Sequence, residues 1–543
     1  MIDDRVFIFS SFKNNPEFFF QGYCFVGRDY IYGQQGAEKY ESTENVKIDF
    51  DEDGCYVLMR REKDEYLFGC DYSGYKKIFY YFDSYSKNWI VSNSINLIVK
   101  LMDEMGLTYT PNYSQLNAIV LNKNFNQQLT SFNTPVKEIK LLPPNTYLRI
   151  TNNYFSIDNC KNDLLVEIEN ISYEEIIHQY LEVWASRYLT IVSEKDMTIN
   201  QDLTGGIDSR AIFSLTHMAN KNVSSAILKN QRLISRVSRG DTIDYDIAKE
   251  ITTKYNYDLQ SSIPNEENLI TAEESYHLWK NINLGNYHPI YFPVNNMNPL
   301  ITKFNGAGGG NYSPYYASGA KNYSKNRFEL YINQFTNNLK YPFLGQEYKS
   351  DIAKDTNYIY SRIGNDSIEK LTLHYNKFRN RFHGGMIPQY TVCFTPLSSK
   401  YLDYITHVSS KEKIDSAQIM YDLINVTEGL LSLRYDFYEK NPKEMNIENI
   451  FNLKRELDVR KGSTYYDAFK YIEEKKLGIY SNPMDYLYED FGLACKKDFV
   501  SRFWGKEFID NAEKILVKNI SNNQFNHGRD AIALSAIMAS SWF

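Results

Sequence analysis

One octapeptide constrains this chain more than any other feature: Leu203-Thr204-Gly205-Gly206-Ile207-Asp208-Ser209-Arg210. It stands where a β-type run, Thr198–Leu203, passes into a helical run, Arg210–Ala219. Two glycines at such a passage let the backbone approach a ligand closely and adopt conformations a side chain would forbid. Successive N–H groups beside a helix N-terminus form an anion-binding nest. Thr204 and Ser209 add hydroxyl donors. Asp208 beside a phosphate makes chemical sense when a divalent cation bridges the two. The pattern reads as a pyrophosphate cradle with one metal ligand. The alternative is a plain strand–helix turn whose aspartate gains from the helix dipole.

The flanking sequence places this turn in an α/β unit. Ser172 with Glu175 has the spacing of a capping box before Ile176, Ile177, Tyr180, Leu181 and Trp184. After the turn come a short β-type run, Ser225–Leu228, and a helical run, Asp244–Tyr255. Strand, glycine turn, helix, strand, helix predicts a parallel sheet wrapped by helices. The first third reads differently. Arg5–Phe12, Gly22–Val26, Cys55–Arg60, Glu65–Cys70 and Lys77–Phe82 are short aromatic or β-branched runs broken by Gly, Asp and Asn. They predict an antiparallel sheet system, and Pro135–Ile150 reads as two strands turning at Pro143-Pro144-Asn145. The polar stretch Asp158–Asp163 is the expected boundary. The fold class is therefore α+β followed by α/β.

Charge and composition remove several classes. Lys and Arg number 60 against 67 Asp and Glu, a net charge of −7, which disfavours wholesale nucleic-acid binding. Six cysteines form neither CxxC nor a Cys/His cluster, so neither a disulfide framework nor a structural zinc site is expected. The opening MIDDRVFIFSSF has no apolar h-region, and no secretory signal is expected. The most apolar segment, Ala531–Phe543, is too short to span a bilayer and reads as a buried terminal helix. The expected setting is cytoplasmic, with no membrane partner.

The octapeptide resembles the SGGxDS signature of PP-loop ATP pyrophosphatases, in its asparagine-synthetase form. The resemblance implies that Leu203 contacts adenine, that Thr204, Gly205, Gly206 and Ser209 cradle the pyrophosphate of ATP, and that Asp208 holds Mg²⁺. Thr204 replaces the family's usual Ser and keeps the hydroxyl. Arg210, where many members have Ser, would be an extra phosphate contact or a surface charge. Ser225-Ala226-Ile227-Leu228 falls where relatives place a backbone contact to adenine, which adds Ile227, and Asp244 with Ala248 continues the family's next helix. Phe304-Asn305-Gly306-Ala307-Gly308-Gly309-Gly310-Asn311 falls where relatives carry a GEGxDE segment over pyrophosphate, which adds Asn305, Gly306, Gly308 and Gly309. Phe378–Leu397, with FRNRFHGG and FTPL, resembles the region before the acceptor pocket.

The N-terminal third resembles the family's glutaminase-like domain. Asp71-Tyr72-Ser73-Gly74-Tyr75-Lys76-Lys77-Ile78-Phe79-Tyr80-Tyr81 matches its DxxGxKPLYY hairpin, Ile90–Ser94 its next strand, and LLPPNTYL its LPPG turn. The implied organisation is an Ntn-hydrolase-like antiparallel sheet sandwich over 1–165 and a PP-loop ligase domain, a parallel sheet with helices on both faces, over 166–543.

Two departures shape the functional expectation. Residue 2 is Ile where a glutaminase of this type carries its nucleophilic Cys, so no glutamine hydrolysis is expected and the front domain becomes a scaffold, as in β-lactam synthetase-like and macrolactam-forming relatives. The family's second metal carboxylate and its neighbouring Glu correspond to Gly310 and Asn311. Asp208 would then hold Mg²⁺ with phosphate oxygens and water. No catalytic residue is assigned. Lys440, Lys443, Lys454 and Lys461 are equally placed by sequence for the phosphate charge, each reading otherwise as a solvated residue. Tyr312, Tyr315 and Tyr316 fall near the catalytic Tyr of lactam-forming relatives, with packing as the plainer reading, and His383 reads as structural.

The expected activity is ATP-dependent amide-bond formation between a small-molecule or peptide carboxylate and an amine, in natural-product or surface-polysaccharide biosynthesis. ATP and Mg²⁺ are the expected cofactors, and a homodimer is compatible. The rivals are a degenerate nucleotide-binding partner or regulatory protein and a tRNA-modifying PP-loop enzyme.

Overall fold

The computed structural model describes residues 5–120, 124–151, 154–160, 171–221, 223–224, 228–235, 242–261, 270–313, 315–317, 327–336, 341–363, 369–435, 449–466, 482–521 and 531–543. Two largely antiparallel sheets open the chain. The four-stranded one runs, in order, Ile8–Ser10, Trp89–Ser92, Phe79–Phe82 and Ile139–Leu141. The seven-stranded one runs Phe155–Asn159, Thr146–Ile150, Glu65–Cys70, Asp53–Glu62, Phe18–Val26, Asp29–Tyr32 and Thr464–Tyr465. Strand alternation puts Phe9 and Trp89 of the first sheet and Met59, Phe68 and Leu148 of the second into one core, so the sheets pack face to face.

The expected run Glu65–Cys70 is a strand over those same residues. Gly22–Val26 and Cys55–Arg60 lie inside longer strands, and Arg5–Phe12 and Lys77–Phe82 contract to Ile8–Ser10 and Phe79–Phe82. Residues Pro135–Ile150 do turn near Asn145, whose φ is 58°, but the strands on either side are not a hairpin. Ile139–Leu141 pairs with Phe79–Tyr81, whereas Thr146–Ile150 pairs with Phe155–Asn159 in the other sheet. Two prolines without N–H donors carry the chain around the corner between sheets. In the expected boundary, Asp158 and Asn159 finish a strand, and 161–163 lie outside the described residues.

The third sheet is parallel and five-stranded: β1 (Thr198–Asp202), β2 (Gln231–Ile234), β3 (Leu259–Gln260), β4 (Ile301–Phe304) and β5 (Cys393–Phe394), in the order β3-β2-β1-β4-β5. Ile199, Asn200 and Gln201 are all buried, so both faces of the central strand are covered. Helix α1 (Tyr173–Val192) starts at Ser172, whose hydroxyl accepts from Glu175 N at 3.2 Å. Its apolar stripe sets Trp184 edge-on to Phe304 of β4 and Phe394 of β5. Helices α2 (Ile207–Asn220) and α3 (Ile243–Tyr255) follow β1 and β2. A strand is expected at Ser225–Leu228; the described neighbour of β1 on this side is β2. Residues 225–227 lie outside the described residues, and the pairing strand is Gln231–Ile234, whose two leading polar residues hid it from the apolar pattern.

The antiparallel and parallel sheets are joined by buried charge. Arg187 of α1 donates to Asp53 at 2.6 Å, which also accepts from Ser399 Oγ at 2.7 Å and Lys400 N at 2.9 Å. Arg381 donates to the carbonyls of Gly74 and Leu142, both at 2.9 Å. The terminal helix Ile532–Ser540 is buried as expected. Among the described residues, no helix is long and apolar enough to cross a membrane.

Candidate functional site

From β1 the chain steps outward to β2 and β3, then returns past β1 to β4. A parallel sheet that reverses its order leaves a crevice at the carboxyl ends of the two strands, where ligands bind. The Leu203–Ser209 turn leaves β1 at that point, and the glycine-rich segment leaves β4 beside it, Gln201 pairing with Phe304.

The two segments touch at Asp208. A Cβ on Gly309 would collide with the Asp208 carboxylate, and one on Gly306 would lie 2.8 Å from the Asp208 carbonyl carbon and 2.9 Å from Ser209 N. Gly308, at φ +109°, sits where a side chain would strike Ser398, and a Cβ on Gly310 would lie 2.5 Å from Tyr375 Oη. At each of these glycines the neighbouring chain, backbone at Gly306 and side chain at Gly309 and Gly310, approaches too closely for a Cβ. Asn305 turns the chain into the segment, its Oδ1 accepting from Ala307 N at 2.7 Å.

Within the first turn, Ser209 Oγ accepts from Thr204 N and meets Thr204 Oγ1, each at 3.0 Å, and Gly206 N reaches Thr204 Oγ1 at 3.3 Å. Gly205 N donates to Asp244 Oδ1 at 2.8 Å, from the first turn of α3. An anionic oxygen therefore already sits on the glycine amide. The expected conformational need for Gly205 and Gly206 is corrected: neither has positive φ. A Cβ on Gly206 would meet only Thr204 Oγ1, at 3.6 Å, so the protein leaves open space there. Backbone strain therefore does not account for that glycine.

Other expectations change. Leu203 is fully buried in the core and offers a nucleotide no open side-chain surface. Ile227 lies outside the described residues. Arg210 is neither a phosphate contact nor a surface charge: it is fully buried, donates to the carbonyls of Leu430, Leu433 and Arg434, and stacks 3.8 Å over Tyr435. Lys454 and Lys461 form exposed ion pairs with Glu174 and Glu194, while Lys440 and Lys443 lie outside the described residues. Tyr312 is buried, and burial with the nearby Asp403 charge pushes its hydroxyl far up, which removes it as a base at neutral pH. Tyr315 and Tyr316 pack their rings on Tyr375. His383 bonds Tyr287 Oη at 2.7 Å, and burial beside Arg379 lowers it to about 3, so it stays neutral.

The amides of Thr204, Gly205 and Gly206 are met by Ser209 Oγ, Asp244 Oδ1 and Thr204 Oγ1. Among the described residues there is no group of three His, Cys, Asp or Glu that could hold a metal ion. A divalent cation here would rest on Asp208 and on ligand oxygens. The thiols of Cys24, Cys55, Cys70 and Cys393 are buried, and desolvation raises each of them, the reverse of a nucleophile's need.

No family model matches the chain, and no curated protein matches it.

Sequence reasoning missed two features. Asp244 was read only as a helix residue, although an acid in the first turn after β2 is well placed to face the neighbouring turn. Buried Lys377 and half-buried Asp403, paired at 3.2 Å, carried no local pattern that would have exposed them.

Proposed function

We propose that the chain is an ATP-dependent amide-bond-forming ligase. A substrate carboxylate attacks the α-phosphorus of ATP and pyrophosphate leaves; an amine then attacks the acyl carbon and AMP departs. Dividing one difficult condensation into two displacements lowers each barrier. The observation that carries this reading is the seating of Gly306 and Gly309 on Asp208 where the sheet reverses its order. The Gly205 amide donates to Asp244, so a phosphate oxygen would take that donor by displacing the carboxylate. Thr204, Gly205, Gly206 and Ser209 would hold the pyrophosphate. Mg²⁺, when bound at Asp208, offsets the charge of the leaving group.

In this reading the parallel sheet is of PP-loop type, and the packed antiparallel sheets are an Ntn-hydrolase-like scaffold that hydrolyses no glutamine, in keeping with the buried thiols. The substrates are a small-molecule or peptide carboxylate and an amine. Incubation with ATP and Mg²⁺ over paired amino acids, uronic acids and peptides should release pyrophosphate and AMP; none above background across that panel contradicts the reading. A second reading, nucleotide binding without turnover, is favoured by Gly310, which faces Tyr375 where relatives keep a carboxylate. ATP binding without AMP formation would select it.

A further inference from the structure

At the edge of the parallel sheet opposite the crevice, the strands begin and helices α2 and α3 end. A cavity of about 620 Å³ opens there, between the start of β2 and the residues leading into β3. No residue of the Thr204–Ser209 turn or of the glycine-rich segment lines it. Its volume falls within that of small-molecule clefts, about 300–1,000 Å³.

Part of the wall is aromatic. Tyr255, Tyr257 and His217 line the cavity, with the His217 ring 4.9 Å from Tyr255 and 5.7 Å from Tyr257. Hydrogen bonds hold these rings in place. Tyr257 Oη accepts from Asn220 Nδ2 at 3.1 Å and meets His217 Nδ1 at 3.0 Å, and Tyr255 Oη donates to the Glu428 carbonyl at 2.7 Å. Rings fixed in this way offer a planar ligand a contact face at little cost in side-chain entropy. The rest of the wall is charged. Lys221, Lys229 and Arg232 stand against a single acid, Asp258, in a chain whose net charge is −7. Lys221 and Lys229 are exposed, and neither joins an ion pair among the described residues. Lys221 follows the end of α2, where the helix dipole favours a cation. Lys229, on the approach to β2, has no such reason in the fold. Burial and then the Lys221 charge lower His217 to about 4, so the cation lies within electrostatic reach of the rings and the imidazole is neutral at pH 7.

We propose that this cavity binds a small anion carrying an aromatic ring, the ring against Tyr255 and Tyr257 and the anionic group on Lys221 and Lys229. The site does not depend on the nucleotide reading of the crevice. Calorimetric titration of the full chain with phenyl phosphate, and with inorganic phosphate as the ringless probe, tests it. Phenyl phosphate should bind with a Kd of roughly 1 mM or tighter, and about tenfold or more tightly than inorganic phosphate. The double variant Lys221→Met with Lys229→Met should weaken that binding by roughly tenfold or more, while Asp208→Ala should leave it unchanged. Both lysines are exposed, so the double variant should unfold at the wild-type temperature, and melts recorded alongside separate lost binding from lost fold. No heat from phenyl phosphate at about 10 mM, far above that Kd, overturns the proposal. So does equal affinity for the two probes, wild-type affinity in the double variant, or binding that disappears with Asp208→Ala.

Discussion

Single residues at the crevice are constrained by what touches them. Gly309 has no room for even a methyl group, because its Cα faces the Asp208 carboxylate. Gly309→Ala should displace that carboxylate, destabilise the chain by about 1–3 kcal/mol and remove pyrophosphate release. A thermal melt with a pyrophosphate assay checks both effects, and full activity with an unchanged melt would refute the contact's importance. The strand-to-helix turn was legible from sequence because Thr204, Gly205, Gly206, Asp208 and Ser209 are contiguous. Arg210 was not legible: its partners, the carbonyls of Leu430, Leu433 and Arg434, are more than two hundred residues away and carry no side-chain signature.

Between elements, the joint between α1 and the strand Asp53–Glu62 is the weak point to probe. Arg187 and Asp53 are both nearly inaccessible, at 0% and 4% side-chain exposure. Removing one partner strands a buried charge, so Arg187→Ala should lower stability by roughly 3–5 kcal/mol. Urea unfolding checks this, and a loss below about 1 kcal/mol, the range of exposed pairs, would mean that the joint is solvated. Elements whose periodicity is local, such as α1 and Glu65–Cys70, were readable in the sequence. β2 was missed because Gln231 and Arg232 are polar, and its place is fixed by pairing with β1 and β3 instead. The corner at Pro143-Pro144-Asn145 was seen as a turn, but which sheet each flank joins depends on partners far along the chain.

Across the whole molecule, acid is the expected threat to stability. Burial lowers His288 to about 3 and His374 to about 4, both below the unfolded value of 6.5. Each stays neutral in the fold, so the stability it contributes is present above pH 6.5 and is lost as pH falls toward 3–4. His288→Gln should remove part of that slope, at most about 5 kcal/mol at the acid limit. Urea unfolding at stepped pH checks it, and an identical slope in the variant would contradict the burial argument. Asp71 works in the opposite direction. Burial raises it to about 7, so its contribution is present below pH 4 and fades as pH rises through 7.

Binding of ATP with Mg²⁺ to wild type and to Gly206→Ala, by calorimetry with parallel unfolding curves, bears most sharply on the crevice as a nucleotide site. Gly206 has an ordinary φ of −75° and open space where the methyl would go. Stability should therefore change by no more than about 1 kcal/mol. ATP affinity should fall by roughly tenfold or more as the methyl occupies the ligand's place. Equal affinity for ATP in both proteins would mean that no phosphate rests on this turn.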